Sequence, residues 1–334
     1  MFGMPRRLLF GYLALAVFMT GDGFELTFLS RFLVESGFSP TQAGLVFTVY
    51  GLVVAFSAWT TGVLAEVVGA RRLMVLGGVL WMVLHVLFLT VGLRSVVGTI
   101  LIYSLRGVAY PLFMYSFVVL IAQSVHPSRL ASAMGWYWAS FSLGLGVMGA
   151  YVPSLLVPVI GEYATLWASL IFVAAGTALC AFLVPGAPPE ADRSRELARE
   201  GRARELLRGA TLAFAYFPVW FGASFPLMIV PAVLFALSVT AFVPMGAIFP
   251  ALAPEHRGAA ISAHNLASGL TTFAGPGIAT ALLPVIGPIG VCWAFAGLMV
   301  LGTITTFFIH PPQPGITTEA GRVLPRRERL TNAA

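Results

Sequence analysis

The first apolar stretch of the chain, residues 8–29 (LLFGYLALAVFMTGDGFELTFL), carries only two charged side chains, Asp22 and Glu25. A helix needs about 20 residues to cross the hydrocarbon core of a bilayer. Residues 8–29 therefore predict a membrane span, and because no small-residue cleavage site follows, we expect a retained span rather than a signal peptide. Five more stretches of this kind precede the first long polar segment: 43–65, 73–92, 97–124, 132–156 and 163–184.

The composition of the whole chain agrees with a protein surrounded by lipid. Of the 334 residues, 58% are hydrophobic and 10% are charged, and the mean hydropathy is +0.91, whereas about a quarter of the residues in soluble domains are charged. This composition excludes a cytosolic enzyme, a nucleic-acid-binding module and a disordered chain. Because the sequence contains no catalytic, nucleotide-binding or metal-binding motif, we expect no enzyme activity, no cofactor and no metal site.

The second half of the chain is shorter than the first. A polar segment at residues 185–207 follows the six predicted spans and predicts a cytoplasmic linker. Residues 210–254 contain no charged side chain, which allows two spans, the first of them short and at about 207–222. Spans at 259–283 and 288–309 bring the predicted total to ten.

The arginines orient these spans. All 19 basic residues are arginines, and sixteen of them lie in segments predicted to be cytoplasmic, against two, Arg31 and Arg94, in outer segments. The positive-inside rule then places both termini in the cytoplasm and predicts a multi-pass protein of the cell inner membrane. Because the arginines are spread in short clusters, we expect no nucleic-acid partner.

These observations predict an all-α integral membrane protein with four parts. They are an N-terminal six-helix bundle at 1–184, a cytoplasmic linker at 185–207, an incomplete four-helix bundle at 208–310 and a disordered cytoplasmic tail at 311–334. A weak internal repeat supports two related bundles of unequal size. Arg129 and Arg257 occupy similar inner loops, and Trp167 and Trp293 occupy similar positions in later spans.

Several motifs resemble one transporter family. The segment GVLAEVVGARR at residues 62–72 is similar to the signature loop of the major facilitator superfamily, with Glu66 where aspartate is usual. GDGFE at 21–25, LRGVAYP at 105–111 and APEHRGAA at 253–260 resemble the ribitol/D-arabinitol and 2-oxoglutarate permease branch. The resemblance implies major-facilitator-like bundles of six plus six spans, of which this chain lacks two in its C-terminal half.

Charged and polar residues within the spans are the candidates for a transport site. Asp22 and Glu25 share a helix face, and Arg106 lies near the middle of span four, where a charge costs several kcal/mol unless it faces a cavity or a partner. Asp22 and Arg106 could form one pair, and a structural ion pair is the alternative to a role in transport. Burial of the two carboxyls suits groups that bind and release a proton during transport, and the resemblance implies that Arg106 helps in proton coupling. Tyr110 and Asn265 are candidates to bind a hydroxylated substrate.

Two further expectations concern helix packing. His85, in the middle of span three, predicts a buried and hydrogen-bonded histidine rather than a ligand. Ser142, Gly146 and Ala150 recur every four residues, which predicts a stripe of small residues that packs against another helix.

The signature loop is the candidate gate. The resemblance implies that this loop packs against the start of the penultimate span and gates transport. The gating residues are Gly62, Glu66, Gly69, Arg71 and Arg72. Gly62 would permit a close helix contact.

The function that these features predict is secondary active transport, with proton symport of a small polar metabolite such as a sugar alcohol by alternating access. A 2-oxoglutarate or dicarboxylate permease is the alternative, because one central arginine suits a carboxylate. A second alternative is a non-transporting membrane protein left by an internal deletion. The expected partners are a small-molecule substrate, protons and the lipid bilayer, and a second copy of the chain could complete the bundle.

Overall fold

The structure, a computed structural model, describes residues 4–186, 257–308, 316–317 and 323–324. Within these residues almost all of the chain is helical. The α-helices are α1 Leu9–Glu35, α2 Pro40–Leu64, α3 Ala70–Thr90, α4 Val96–Arg106, α5 Ala109–Ser124, α6 Pro127–Ser142, α7 Gly149–Ile160, α8 Glu162–Leu183 and α9 Arg257–Phe308. Two strands of two residues each, β1 Ile316–Thr317 and β2 Val323–Leu324, pair antiparallel.

The six spans predicted before residue 185 are present. Helical segments long and apolar enough to cross a membrane run over Arg6–Glu35, Pro40–Leu64, Val67–Arg94, Val96–Ser124, Arg129–Ile160 and Glu162–Leu183. α2 begins with a capping box, in which the Ser39 side chain accepts from the Gln42 N–H and the Gln42 side chain accepts from the Ser39 N–H. Such reciprocal bonds satisfy two N–H groups at the start of the helix.

The last two predicted spans form the two parts of α9. A seventh membrane-length segment covers Ile261–Gly302. Gly287, which has φ of 68° and ψ of 177° and is followed by Pro288, interrupts the helical backbone at the boundary predicted between 259–283 and 288–309. Because the two spans predicted between residues 207 and 254 lie outside the described residues, the total of ten stays a prediction.

The fourth span is bent where α4 meets α5. The N–H groups of Gly107 and Val108 each bond to the carbonyl three residues earlier, at 2.9 and 3.1 Å, which gives a tight turn directly after Arg106. Pro111 lies in the first turn of α5, where an N–H would have no acceptor within the helix. Arg106 is thereby the last residue of α4, and a cation is favourable at the carbonyl end of a helix.

Close approach through small residues joins α1 to α8. A Cβ added to Gly21 would lie 2.6 Å from the Ser169 carbonyl oxygen, and one added to Gly176 would lie 2.7 Å from the Phe18 amide nitrogen. Only residues without a side chain allow this spacing, as is typical of helix contacts in membranes. The Phe18 ring then stacks on Phe113 of α5 with centroids 3.9 Å apart.

Among the described residues, the glycines that approach α1 closely are Gly144 and Gly149, and not Gly146 of the predicted stripe Ser142, Gly146 and Ala150. A Cβ on Gly149 would lie 2.8 Å from the Gly23 Cα of α1, and one on Gly144 would lie 2.7 Å from a side-chain atom of α1. Gly146 is exposed and has no atom of the described neighbours within 4 Å of such a Cβ. The reason is the π-helical segment Leu143–Met148, whose wider turn places residues five apart on the same face.

The described residues fall into two compact units, 4–186 with 257–293, and 294–308 with β1 and β2. Within the first unit, the first part of α9 packs against α2. A Cβ on Gly269 would lie 2.9 Å from the Ala55 Cβ, and one on Gly277 would lie 3.4 Å from the Thr48 side chain. Gly269 contacts Ala55, whereas Gly277, further along α9, contacts Thr48, which is earlier in α2. The two helices are therefore antiparallel.

Candidate functional site

A buried ion pair links Glu25 of α1 to Arg106 of α4, within the six spans that precede residue 185. One terminal guanidinium nitrogen of Arg106 donates to Glu25 Oε1 at 2.6 Å, and the other donates to Glu25 Oε2. The two residues are 1% and 3% exposed. Two parallel charge-assisted bonds of this kind fix both the strength and the direction of the pair.

The pair suggested between Asp22 and Arg106 is therefore wrong, because Arg106 binds Glu25 instead. Asp22 and Glu25 share one face of α1, so sequence spacing alone allowed either carboxyl to reach the arginine. Asp22 accepts a hydrogen bond from the Trp81 indole N–H at 2.7 Å and is half-buried. In the part of the chain that the structure describes, Asp22 has no ion-pair partner.

His85 extends the ion pair toward α8. Its Nδ1 lies 2.6 Å from an Arg106 nitrogen, and its Nε2 lies 3.0 Å from the Leu166 carbonyl oxygen. A guanidinium can only donate, so Nδ1 accepts and Nε2 carries the proton that it donates to Leu166. The prediction of a buried, hydrogen-bonded histidine is confirmed, since His85 is fully buried.

Aromatic rings enclose the guanidinium group. Its central carbon lies 4.6 Å from the Trp81 ring centroid, 4.5 Å from that of Tyr103 and 5.9 Å from that of Phe88. These distances are within the range of cation–π attraction. Arg106 is therefore held by a carboxylate, an imidazole and three ring faces, while its Nε has no hydrogen-bond partner among the described residues.

Trp81 and His85 also belong to this cluster, and the sequence pattern does not predict it. Both lie on α3, one helical turn apart, and their rings stack with centroids 4.5 Å apart. The available signal was the i, i+4 spacing of a hydrogen-bonding tryptophan and a histidine in an otherwise apolar span. This spacing predicts that the two side chains share one face of α3, but it does not predict which neighbouring helix that face contacts.

Tyr110 and Asn265, the two other predicted site residues, do not hydrogen-bond to the ion pair in the described structure. Tyr110 lies half-buried in the first turn of α5. Asn265 of α9 is 1% exposed, and its Nδ2 has no hydrogen-bond partner among the described residues. The hydroxyl of Ser262, three residues earlier on the same face, is likewise buried and without a described partner.

The predicted gating loop is helical. α2 leads into a π-helical segment, Ala65–Gly69, and α3 follows directly. Gly69 has φ of +96°, a value that favours glycine. The Arg71 guanidinium donates to the Ala181 carbonyl in the last turn of α8, where a cation is favourable.

The other gate residues are only partly described. Gly62 is buried and Arg72 is exposed. The Glu66 side chain and the side chains at the start of α9 lie outside the described part of the structure, so the contact predicted between them stays a prediction.

Three curated bacterial relatives match nearly the whole chain. The ribitol transporter of Klebsiella pneumoniae is 38% identical over 95% of each chain, and the D-arabinitol transporter of the same species is 36% identical over 94% of this chain and 95% of the relative. The alpha-ketoglutarate permease of Bacillus subtilis (strain 168) is 30% identical over 92% of this chain and 90% of the relative.

The relatives are longer than this chain within the matched region. The alignment with the ribitol transporter spans 408 positions, which exceeds the 334 residues of this chain by 74. At least that many positions of the relative therefore have no counterpart here. This length suffices for two membrane-spanning helices of about 20 residues with their loops.

The fold and the family agree with these matches. The crystal structure of the human organic anion transporter MFSD10 (TETRAN) superposes with a TM-score of 0.71 at 13% identity, over 91% of this chain and all of that one. The family model described as Major Facilitator Superfamily matches residues 11–211. With apolar, membrane-length helices throughout its described residues, the chain is a multi-pass membrane transporter and not an enzyme. It belongs to the major facilitator superfamily.

Proposed function

We propose that this protein is a proton symporter that takes up a sugar alcohol across the cell inner membrane by alternating access. The observation that carries the proton step is the unequal charge of the cluster, which holds the buried Glu25–Arg106 pair and a second, half-buried carboxyl, Asp22. The substrate class is supported by the 38% identity to a ribitol transporter and the 36% identity to a D-arabinitol transporter.

Asp22 is the group that binds the proton in this proposal. Arg106 keeps its charge at all accessible pH values and is neutralised by both oxygens of Glu25. Asp22 is left with a neutral indole donor. An ionised carboxyl without a cation is costly at membrane depth. Because a bound proton removes that cost, Asp22 can alternate between two states that favour different conformations.

The geometry favours a neutral polyol over a dicarboxylate. A dicarboxylate would need a free cation, whereas the Arg106 guanidinium already binds Glu25 with both terminal nitrogens. On α9, Ser262 and Asn265 are buried with polar atoms that lack described partners. An unsatisfied buried polar group costs about 1–3 kcal/mol. Polyol hydroxyls, which both donate and accept, would satisfy these atoms, and Tyr110 could add a further hydrogen bond.

The signature loop acts as the inner gate in this proposal. Gly62, Glu66, Gly69, Arg71 and Arg72 form its moving segment. The bond from Arg71 to Ala181 links the start of α3 to the end of α8, so that these helices would move together.

Uptake into proteoliposomes tests the proposal. The purified protein is reconstituted, and the entry of labelled ribitol, D-arabinitol and 2-oxoglutarate is measured with and without an inside-alkaline pH gradient. We expect the gradient to drive accumulation of a sugar alcohol above the equilibrium level. If accumulation is the same with and without the gradient, proton coupling is rejected. If only 2-oxoglutarate is taken up, a sugar alcohol is rejected as the substrate.

A second candidate follows from the positions that this chain lacks relative to the ribitol transporter. The chain could insert without transporting, or it could need a second copy to complete the bundle. Uptake assays with the ribitol transporter as positive control distinguish these cases. No uptake despite correct insertion supports the non-transporting protein, and uptake that disappears on dilution to one copy per vesicle supports assembly of two copies.

A further inference from the structure

Trp81 contacts both parts of the charge cluster. Its indole N–H donates to Asp22 Oδ1 at 2.7 Å, and its ring centroid lies 4.6 Å from the central guanidinium carbon of Arg106. The side chain is fully buried. Trp81 therefore contacts both Asp22, which has no cation as a partner among the described residues, and Arg106, which is paired with Glu25.

The neighbouring turn of α3 reinforces this arrangement. The His85 ring stacks on the Trp81 ring at an interplanar angle of 19°, and His85 Nδ1 accepts from Arg106. His85 is itself held by the Leu166 carbonyl and the Ser169 hydroxyl of α8. The orientation of Arg106 toward Glu25 is thus set by α3 and α8 together, and not by α1 alone.

We propose that Trp81 is a positioning residue of the proton-binding site, which keeps Asp22 apart from Arg106 and provides its hydrogen bond from a neutral donor. The proposal rests on the proposed function, in which Asp22 binds the coupled proton. A direct pair with Arg106 would stabilise the ionised carboxyl strongly and hinder protonation. An indole donor stabilises the ionised carboxyl only moderately, so that Asp22 can both bind and release a proton.

The charged and titratable groups of the cluster around Asp22 come from five helices. Three of these groups are tyrosine phenols, which ionise only in alkaline solution. Both nitrogens of His85 are occupied by hydrogen bonds. α8 contributes the Leu166 carbonyl and the Ser169 hydroxyl, neither of which titrates. The groups are Glu25 of α1, Tyr50 of α2, His85 of α3, Tyr103 and Arg106 of α4, and Tyr110 of α5.

The test is an infrared titration of the purified protein in lipid. The carboxyl C=O band of protonated Asp22 is identified by its loss in Asp22→Asn, and its pH midpoint is measured in Trp81→Phe. Phenylalanine keeps a ring over Arg106 but removes the N–H. Because a hydrogen bond to a charged group is lost, the midpoint should move upward by about one pH unit.

Trp59→Phe is the matched control. Trp59 is 47% exposed and its ring contacts Phe56, away from the cluster. This variant should leave the midpoint unchanged. An unchanged midpoint in Trp81→Phe overturns the inference, as does an equal shift in both variants.

A second measurement needs no change at Trp81. Ultraviolet resonance Raman spectra report the strength of indole N–H hydrogen bonds, and the spectrum of the unaltered protein should change with the same pH midpoint as the Asp22 band. The change should be absent in Asp22→Asn. A spectrum that does not follow the Asp22 midpoint overturns the inference.

The failure of the inference is distinguishable from failure of the proposed function. If no carboxyl band titrates, or if uptake ignores the pH gradient, the proton step of the proposed function is rejected. If the Asp22 band titrates but is insensitive to Trp81→Phe, only the role of Trp81 is rejected.

Discussion

Glu25 of α1 and Arg106 of α4 form a bidentate ion pair, in which Glu25 Oε1 lies 2.6 Å from one terminal nitrogen of the arginine. Both side chains are almost fully buried. The pair leaves Asp22, the other carboxyl of this cluster, without a cation among the described residues. It also places two opposite charges, each almost fully buried, at membrane depth between α1 and α4.

Removal of one member of this pair should destabilise the protein strongly. Glu25→Gln leaves the Arg106 charge without its counter-ion, and breaking a buried pair typically costs 3–5 kcal/mol. Thermal unfolding in detergent measures the effect. Arg31→Gln is the control, because the Arg31–Glu162 pair has an arginine that is 63% exposed and exposed pairs contribute about 0–1 kcal/mol. Equal effects of the two variants would contradict the structural importance of the buried pair.

Asp22→Asn should abolish accumulation of substrate but not its exchange. Asparagine keeps an oxygen acceptor for the Trp81 N–H and removes the group that changes charge, so folding is preserved. Gradient-driven uptake and counterflow are measured in the same proteoliposomes. In the proposed function protonation favours the loaded carrier. Uptake by the unaltered protein should therefore rise as the outer pH falls, whereas exchange by the variant should be independent of pH. Normal accumulation by Asp22→Asn would show that another group carries the proton.

His85→Leu should lower stability by about 1–3 kcal/mol, because it removes the acceptor for Arg106 and the donor to the Leu166 carbonyl. His85→Gln can provide both an acceptor and a donor and should recover most of the loss. Denaturant unfolding of the two variants checks this. If the leucine variant is as stable as the unaltered protein, the hydrogen bonds of His85 contribute nothing to the fold.

Asn265→Ala should weaken the binding of a sugar alcohol about tenfold while leaving thermal stability nearly unchanged. The Nδ2 atom has no described hydrogen-bond partner, so its removal breaks no described hydrogen bond of the fold. Any change in stability would then come from side-chain packing. The lost bond to substrate corresponds to about 1.4 kcal/mol. KM for uptake and the melting temperature are measured together, with Thr271→Ala at an exposed position of α9 as control. An unchanged KM would exclude Asn265 from the substrate site.

Gly176→Val should impair folding, since its Cβ would lie 2.7 Å from the Phe18 amide nitrogen in the contact between α1 and α8. Overpacking of a tight contact typically costs about 1–3 kcal/mol. Gly146→Val, at a position without a described neighbour within 4 Å of its Cβ, serves as the control. The yield of monodisperse protein and its melting temperature compare the two, and an equal loss would indicate a general effect of helix composition.

Periodicity could not locate the small residues that pack α1 against the fifth span. Regular spacing of four predicted Ser142, Gly146 and Ala150, whereas Gly144 and Gly149 make the contact. A π-helical segment changes the spacing, and a regular period of four residues does not predict such a segment. The same limit applies to Trp81 and His85, whose shared helix face was visible in the sequence but whose neighbours were not.

The sequence by itself determined that this chain is a helical membrane protein of a transporter family. Apolar runs of sufficient length must satisfy their backbone groups within helices when water is absent, and most of the arginines lie in the segments between those helices. Only the tertiary structure decided that Arg106 pairs with Glu25 and that Asp22 binds Trp81. Hydrogen bonds extend over about 3 Å, so the choice between two carboxyls one turn apart depends on the rotation of α1 and on the side chains of α3.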